Sequence, residues 1–161
     1  MEGKIYQREE LKQELERLRG EGRKIVFTNG CFDILHVGHV RYLQAAKDMG
    51  DVLVLALNSD ASVKSLKGAK RPLITESERA IVVAALASVD YVTIFSETTP
   101  LSLIEYLRPD VLVKGGDWAE EEVVGGEAVA QWGGKVSIIP SVVGASTTNI
   151  VGKISKVYAP E

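Results

Sequence analysis

The chain is poor in the groups that build cross-links, metal centres and membrane spans. Cys31 is the single cysteine in 161 residues, so no internal disulfide can form and a structural zinc site lacks its usual thiolates. Histidine is almost as scarce, with His36 and His39 alone, and no fitting cluster of carboxylates accompanies them as metal ligands. The longest strongly apolar stretch, AIVVAALASV at 80–89, is too short to span a bilayer. The opening MEGKIYQREELKQELERLRG mixes both charge signs and does not read as a secretory signal, so the cytoplasm is the expected location. A formal charge of −3 gives no broad positive surface, which argues against nucleic-acid and anionic-membrane partners.

What is present is a repeated alternation of apolar strands and amphipathic helices. Leu11, Leu15 and Leu18 share one stripe of a helix over 8–19, which Gly20 and Gly22 stop. KIVFTN at 24–29, DVLVLALN at 51–58, YVTIF at 91–95, VLVKG at 111–115 and VSIIP at 136–140 read as strands. The near-continuous apolar run of the second fits a parallel strand covered on both faces. Helices are expected over 39–49, over 76–88 behind a Thr75–Glu78 capping box, and from Thr99-Pro100 to Arg108-Pro109. Two more are expected over about 120–132 and over 146–157 behind Ser146. This alternation predicts an α/β fold: a doubly wound, Rossmann-like five-stranded parallel sheet with helices on both faces. No linker, repeat or low-complexity segment divides the chain. Residues 1–161 are therefore expected to form one domain, with an N-terminal amphipathic helix over 1–22 and the α/β core over 23–157.

Such sheets bind ligands beyond the carboxyl ends of their strands, where strand order reverses. The stretch NGCFDILHVGH at 29–39 follows the first strand directly. Thr28, Asn29 and Gly30 end that strand, and a helix begins near Val37–Gly38. Free amides and the positive dipole end make a helix start an anion site, and Gly38, without a Cβ, lets a phosphate approach the backbone. His36 before the helix and His39 in its first turn can converge on the same anion, each donating N–H to phosphate oxygen. Around a reacting phosphorus, donors fixed in advance lower the barrier without a covalent intermediate. Two histidines three apart also fit a plain surface pair or half of a metal site, and the residues alone leave those readings open.

GCFDILHVGH matches every fixed position of the G-x-F-D-x-x-H-x-G-H signature, and the chain thereby resembles the cytidylyltransferase-like nucleotidyltransferases. The similarity runs over about residues 22–155. Within that family it is greatest to the adenylyltransferase domains of ADP-heptose synthesis, through NGCFDILHVGHVRYLQAAKDMGD, LNSDASVKSLKGAKRP, LRPDVLVKGGD and GGKVSIIP through STTNIV. The resemblance implies transfer of AMP from ATP to a sugar 1-phosphate, D-glycero-β-D-manno-heptose 1-phosphate in that subgroup, giving ADP-heptose and pyrophosphate. It implies Mg²⁺ accompanying ATP, with no metal ligands from the protein, and a homodimer. In some bacteria the domain is fused to a sugar kinase; this chain is expected to be the stand-alone form, with a separate heptose kinase in the same pathway.

By the same resemblance His36 and His39 are catalytic, stabilising charge at the α-phosphate and the departing pyrophosphate. Thr28, Asn29, Gly30, Phe32 and Gly38 bind the nucleotide, with Cys31 a small packed side chain among them. KSLKGAKRPLI at 64–74 groups Lys64, Lys67, Lys70 and Arg71 around Gly68 and Pro72. Composition alone makes this a solvated basic loop; the resemblance makes it a flap over the triphosphate, with Lys67 catalytic and Arg71 nucleotide-binding. Ser146 of STTN suits a helix cap, and the family uses that turn for the β- and γ-phosphates, which adds Thr147 and Thr148. VKGGDW reads by itself as a strand-to-loop turn; the resemblance places Lys114, Gly115 and Asp117 against the nucleotide's ribose or base. Asp33 would be repelled by a bare triphosphate and is expected to accept from loop amides or from the acceptor sugar. Val151 stands where many relatives carry arginine, with Lys153 as a partial replacement.

Two rival functions fit parts of the pattern. Glycerol-3-phosphate cytidylyltransferases share the histidine motif, a GDW triplet and the S-T-T turn, but carry arginine and threonine where this chain has Ser141 and Val142. A nucleotide sensor without chemistry should show a broken histidine motif or a lost basic flap, and both are intact. No G-x-G-x-x-G motif, P-loop or KMSKS-type loop is found.

Overall fold

The computed structural model describes residues 2–116, 119, 122–142 and 144–158. Five strands, β1 (Ile25–Gly30), β2 (Val52–Asn58), β3 (Tyr91–Phe95), β4 (Val111–Gly115) and β5 (Lys135–Ile139), pair in parallel in the order β3-β2-β1-β4-β5. Successive side chains of a strand point to opposite faces, and here both faces are covered. Ile25, Phe27, Val52, Val54 and Leu112 enter one core cluster. Val26, Leu53, Leu55, Leu57 and Val113 enter the other. That is why these strands carry apolar residues at consecutive positions rather than at alternate ones.

The first cluster is closed by α1 (Arg8–Gly20), α5 (Leu101–Leu107) and α6 (Gly126–Gln131), through Leu11, Leu15, Leu103, Ile104 and Val129. The second is closed by α2 (Val37–Lys47) and α4 (Glu76–Ala84), through Leu43, Ala46, Ala80 and Val83. Each fully buried leucine contributes roughly 2 kcal/mol of transfer free energy. Two further helices, α3 (Asp60–Lys67) after β2 and α7 (Thr147–Val157) after β5, complete the fold. Ile5 makes a parallel bridge to Val92 on the outer strand β3, and the Tyr6 amide donates to the Val92 carbonyl at 2.9 Å.

Strand and helix positions follow the sequence pattern, with four departures. α6 begins at Gly126 instead of near 120, because Gly125 adopts a left-handed φ of 91° that a right-handed helix cannot contain. α4 ends at Ala84 instead of at 88. There the Lys4 ammonium donates to the carbonyls of Leu86 and Val89, a contact no local pattern announces. α5 starts at Leu101, with Pro100 as its N-cap instead of its first helical residue. Residues 64–67, read as the start of a basic loop, belong instead to the helix α3 over 60–67: the Ser59 hydroxyl accepts from the Ser62 amide, and Gly68 at φ 90° ends the helix.

Winding from β1 leads outward through β2 to β3, and the chain then returns to place β4 on the other side of β1. The crevice of such a sheet opens at that reversal, beyond the carboxyl ends of β1 and β4.

Candidate active site

The loop after β1 delivers two imidazoles to that crevice. His36 is the N-cap of α2, and its Nδ1 accepts the Gly38 amide at 3.1 Å. That bond leaves Nε2 to carry the proton of the neutral ring. The His39 ring lies stacked on it, centroids 3.8 Å apart and planes 22° from parallel. Phe32 closes the other side of His39 at 4.9 Å, from a backbone with φ 46°, a left-handed conformation uncommon outside glycine. Glycine is required twice here. A Cβ on Gly30 would lie 2.7 Å from the Phe32 ring, and one on Gly38 would lie 2.9 Å from the His36 ring and 3.1 Å from the Ala145 methyl.

Protonation is governed by this crowding. Burial, then the positive character of His36 and Lys67, pushes His39 down to about 4. Burial also lowers His36. In the ligand-free protein His39 is therefore neutral at pH 7, and it is positioned as a hydrogen-bond donor before it is a charge. Its Nδ1 is buried, with no hydrogen-bond partner among the described residues.

The stacked pair opens into a cavity of about 440 Å³. Asn29 and Gly30 line it from the end of β1, Cys31 and Phe32 from the loop that follows, and Lys114 and Gly115 from β4. Lys67, at the end of α3, and Arg71 reach it from the β2 side. Ser146, Thr147 and Thr148 close it at the start of α7, where the Ser146 hydroxyl accepts the Asn149 amide at 3.1 Å. Two helix amino ends thus face one space, which favours an anion. Lys67, Arg71 and Lys114 bring positive charge, and among the described residues no lining side chain is a carboxylate. Lys114 donates to Asn29 Oδ1 at 3.1 Å, and burial lowers its pKa. Among the described residues no group of three or more His, Cys, Asp or Glu side chains is placed to hold a metal.

Two expected contacts, Thr28 and Lys153, are placed differently, and Asp33 meets one of its two expected partners. Thr28 is fully buried behind the cavity wall, where its hydroxyl shares a 2.6 Å hydrogen bond with the Tyr42 hydroxyl. Asp33 turns away from the cavity: its carboxylate accepts the amides of Leu73 and Ile74, at 2.8 and 2.9 Å, and the Arg71 guanidinium. Burial opposes its ionisation, but those donors outweigh it and hold the carboxyl below the usual range. Of the two partners expected for Asp33, the loop amides are the ones it meets. Lys153 is exposed and lies outside the lining. Asp117 lies outside the described residues.

Sequence reasoning passed over several wall residues. Tyr42, one turn beyond His39, lines the cavity, and burial raises its hydroxyl to about 12. Its signal was its spacing on the helix. Ile139, Pro140, Ser141 and Val142 form the wall beyond β5, so the two positions that separate this chain from the cytidylyltransferase pattern face the cavity itself.

The cations and helix amino ends around this cavity suit an anionic ligand, and comparison with known proteins adds the family. A bifunctional protein HldE of Geobacter metallireducens is 62% identical over 147 residues, covering 91% of this chain and 30% of that protein. A bifunctional protein HldE of Trichlorobacter lovleyi is 56% identical over 160 residues, covering 99% of this chain and 33% of its own length. The chain thus spans about a third of the curated relatives it matches. Among solved structures, a lipopolysaccharide core biosynthesis protein of Thermoplasma volcanium superposes with a TM-score of 0.63 at 29% identity, over 75% of this chain and 98% of that one. Pantoate-beta-alanine ligase of Francisella tularensis, at 15% identity, TM-score 0.64 and coverage of 98% of this chain and 79% of that one, shares the fold. The cytidylyltransferase-like family model matches residues 27–151, from β1 through the first turns of α7, and the chain belongs to that family.

Proposed function

We propose that the protein transfers AMP from ATP to a sugar 1-phosphate, with D-glycero-β-D-manno-heptose 1-phosphate as acceptor and ADP-heptose and pyrophosphate as products. The observation that carries the reading is the stacked His36–His39 pair opening into a cavity with three cations and two helix amino ends. The HldE relatives are named as bifunctional, and this chain spans about a third of them, which supports reading it as the counterpart of one of their two activities. A separate kinase supplying the sugar 1-phosphate is part of the same proposal.

In this reading an acceptor phosphate oxygen donates its electron pair to the α-phosphorus. The bond from that phosphorus to the α–β bridging oxygen breaks, and pyrophosphate departs with the pair. A phosphate monoester is already anionic at neutral pH, so no general base is needed. The barrier lies in bringing two anions together and in charge gathering on the leaving group, which positioning and preset donors relieve. His36 Nε2–H and the His39 ring donate at the reacting phosphate. Lys67, Arg71, Ser146, Thr147 and Thr148 hold the outer phosphates, and Lys114, Asn29 and Gly115 meet the nucleoside. Bound polyphosphate favours the imidazolium and draws His39 back up from about 4. Mg²⁺ enters as part of the nucleotide substrate.

The proposed location is the cytoplasm, and none of the described helices is long and apolar enough to cross a membrane. Pairing as a homodimer is proposed through the outer side of α4. Ile81 and Val82 stay exposed there although the helix already buries Ala80, Val83 and Ala84 beneath them. The decisive test crosses four nucleoside triphosphates with sugar 1-phosphates and glycerol 3-phosphate, reading pyrophosphate release. ATP with a heptose 1-phosphate is expected to give the highest kcat/KM. Turnover with CTP and glycerol 3-phosphate alone, or ATP binding without any product, overturns the reading.

A further inference from the structure

Among the described residues Arg79 is the largest fully buried side chain, 1% exposed, and it is not part of the lining of the site's cavity. A buried guanidinium is tolerated when its donors are satisfied, and here the partners are unusual in what they join. Nε donates to the Ile74 carbonyl at 3.0 Å, one terminal nitrogen to the Cys31 carbonyl at 2.5 Å, and the other to the Asp60 carboxylate at 2.8 Å. Each partner belongs to a piece that reaches the cavity. Cys31 precedes Phe32 in the loop after β1. Asp60 opens α3, which ends on Lys67. Ile74 ends the 71–74 segment that carries Arg71, and Asp33 clasps that segment from below.

The Cys31 link has the longer reach. The next residue, Phe32, sits at φ 46°, a conformation that persists in a bulky residue only where its surroundings over-determine it. A hydrogen bond to the carbonyl just before that residue is such a restraint. The Phe32 ring, so held, fills the space beside Gly30 and lies against His39.

We propose that Arg79 is a positioning residue: it fixes the Cys31 peptide, and through Phe32 the His39 ring, in register with the two arms that bring Lys67 and Arg71 to the same cavity. The proposal deepens the nucleotidyltransferase reading and rests on it for its kinetic consequence, while its structural consequence stands apart. Arg79 touches no substrate. Its function is to make one rigid unit of three segments that sequence separates by 48 residues between Cys31 and Arg79 and by 19 between Asp60 and Arg79.

Arg79→Lys keeps the charge but cannot satisfy three divergent acceptors. The expected result is a folded protein whose kcat falls on the order of 10²-fold, the scale of losing one preset donor. The readout that a merely structural role would not move is coupling to His39. In a His39→Ala background the Arg79→Lys loss is expected to shrink to about threefold or less, because groups acting through one another are not additive. A second readout needs no activity. The chain holds only two imidazoles, so a long-range ¹H–¹⁵N spectrum resolves both, and Arg79→Lys is expected to displace the His39 signals in the ligand-free protein. Full additivity, or His39 signals identical to the wild type, overturns the proposal.

If Arg79→Lys fails to fold, Asp60→Ala frees the guanidinium at its partly exposed end and leaves the core intact. It is expected to weaken ATP binding about threefold or more in calorimetry, and an unchanged Kd overturns the proposal. A wild-type protein that makes no product, yet shows displaced His39 signals in Arg79→Lys, overturns the reaction and leaves the positioning role standing.

Discussion

The helices α2 and α7 each run for 11 residues and aim their amino ends at one cavity, yet they are secured by different means. α2 buries Gly38, Leu43 and Ala46 against the sheet. α7 buries no residue at all, and Ile154 and Val157 along it are 49% and 64% exposed. Its start is held by the Ser146 cap and by the Thr147 hydroxyl, which donates to the Ile34 carbonyl at 3.4 Å. The difference separates two demands. Catalytic donors need a helix that cannot shift, so His36 and His39 grow from a packed one. Outer phosphates need amides and hydroxyls from a first turn only, and a helix with little buried surface belongs to the low-stability end of a fold.

The largest effect that tests this contrast is on stability. Leu43→Ala is expected to lower unfolding free energy by about 3 kcal/mol through cavity formation, whereas Ile154→Ala changes it by about 0.5 kcal/mol or less. Denaturant midpoints of the two variants compare them directly, and equal losses would remove the contrast.

Next in size is the loss of a histidine from the packed helix. His39→Ala is expected to lower kcat by ~10²-fold, close to 2.7 kcal/mol, with pyrophosphate release as the assay. The same variant carries a pH signature. His39 titrates at about 4 in the fold against 6.5 in an open chain, so the unfolded state takes up its proton first as pH falls. Its contribution to stability is full above pH 6.5 and fades as pH falls from 6.5 toward 4. The variant should show a flatter stability–pH curve over that interval. A slope equal to the wild type's would mean that His39 is not held neutral.

The smallest effect belongs to the loosely seated helix. Ser146→Ala removes a cap worth about 1 kcal/mol. Because α7 buries so little, that loss should register as faster amide exchange in its first turn and roughly threefold weaker ATP binding, with little change in the global midpoint.

Much of this architecture can be read directly from residue order, and the exceptions share a cause. β2 is legible because VLVLALN is apolar at every position but the last, as a strand buried on both faces has to be. His36, Gly38, His39, Ser146, Thr147 and Thr148 are legible because neighbours in sequence are neighbours in the cavity. The end of α4 is hidden because the carbonyls just beyond it are engaged by Lys4, 82 residues from Leu86 in sequence. Arg79 looks like one more charge at a helix start until Cys31, Ile74 and Asp60 surround it. Asp33 offers loop amides as partners on paper, and only three-dimensional proximity shows that they are those of Leu73 and Ile74. α3 was accessible through Ser59 and Gly68 but was masked by the basic composition around it.

The short pairing of Ile5 with Val92 matters for colloidal behaviour as well as for packing. An outer strand offers unpaired amides and carbonyls to any passing chain, which is the usual opening for aggregation. Ile5 and Tyr6 occupy part of that border on β3, and Lys4 tethers them to the carbonyls of Leu86 and Val89. A segment of a few residues far from the chemistry thereby shields β3 from strand-to-strand clumping, and trimming it would threaten solubility before it threatened turnover.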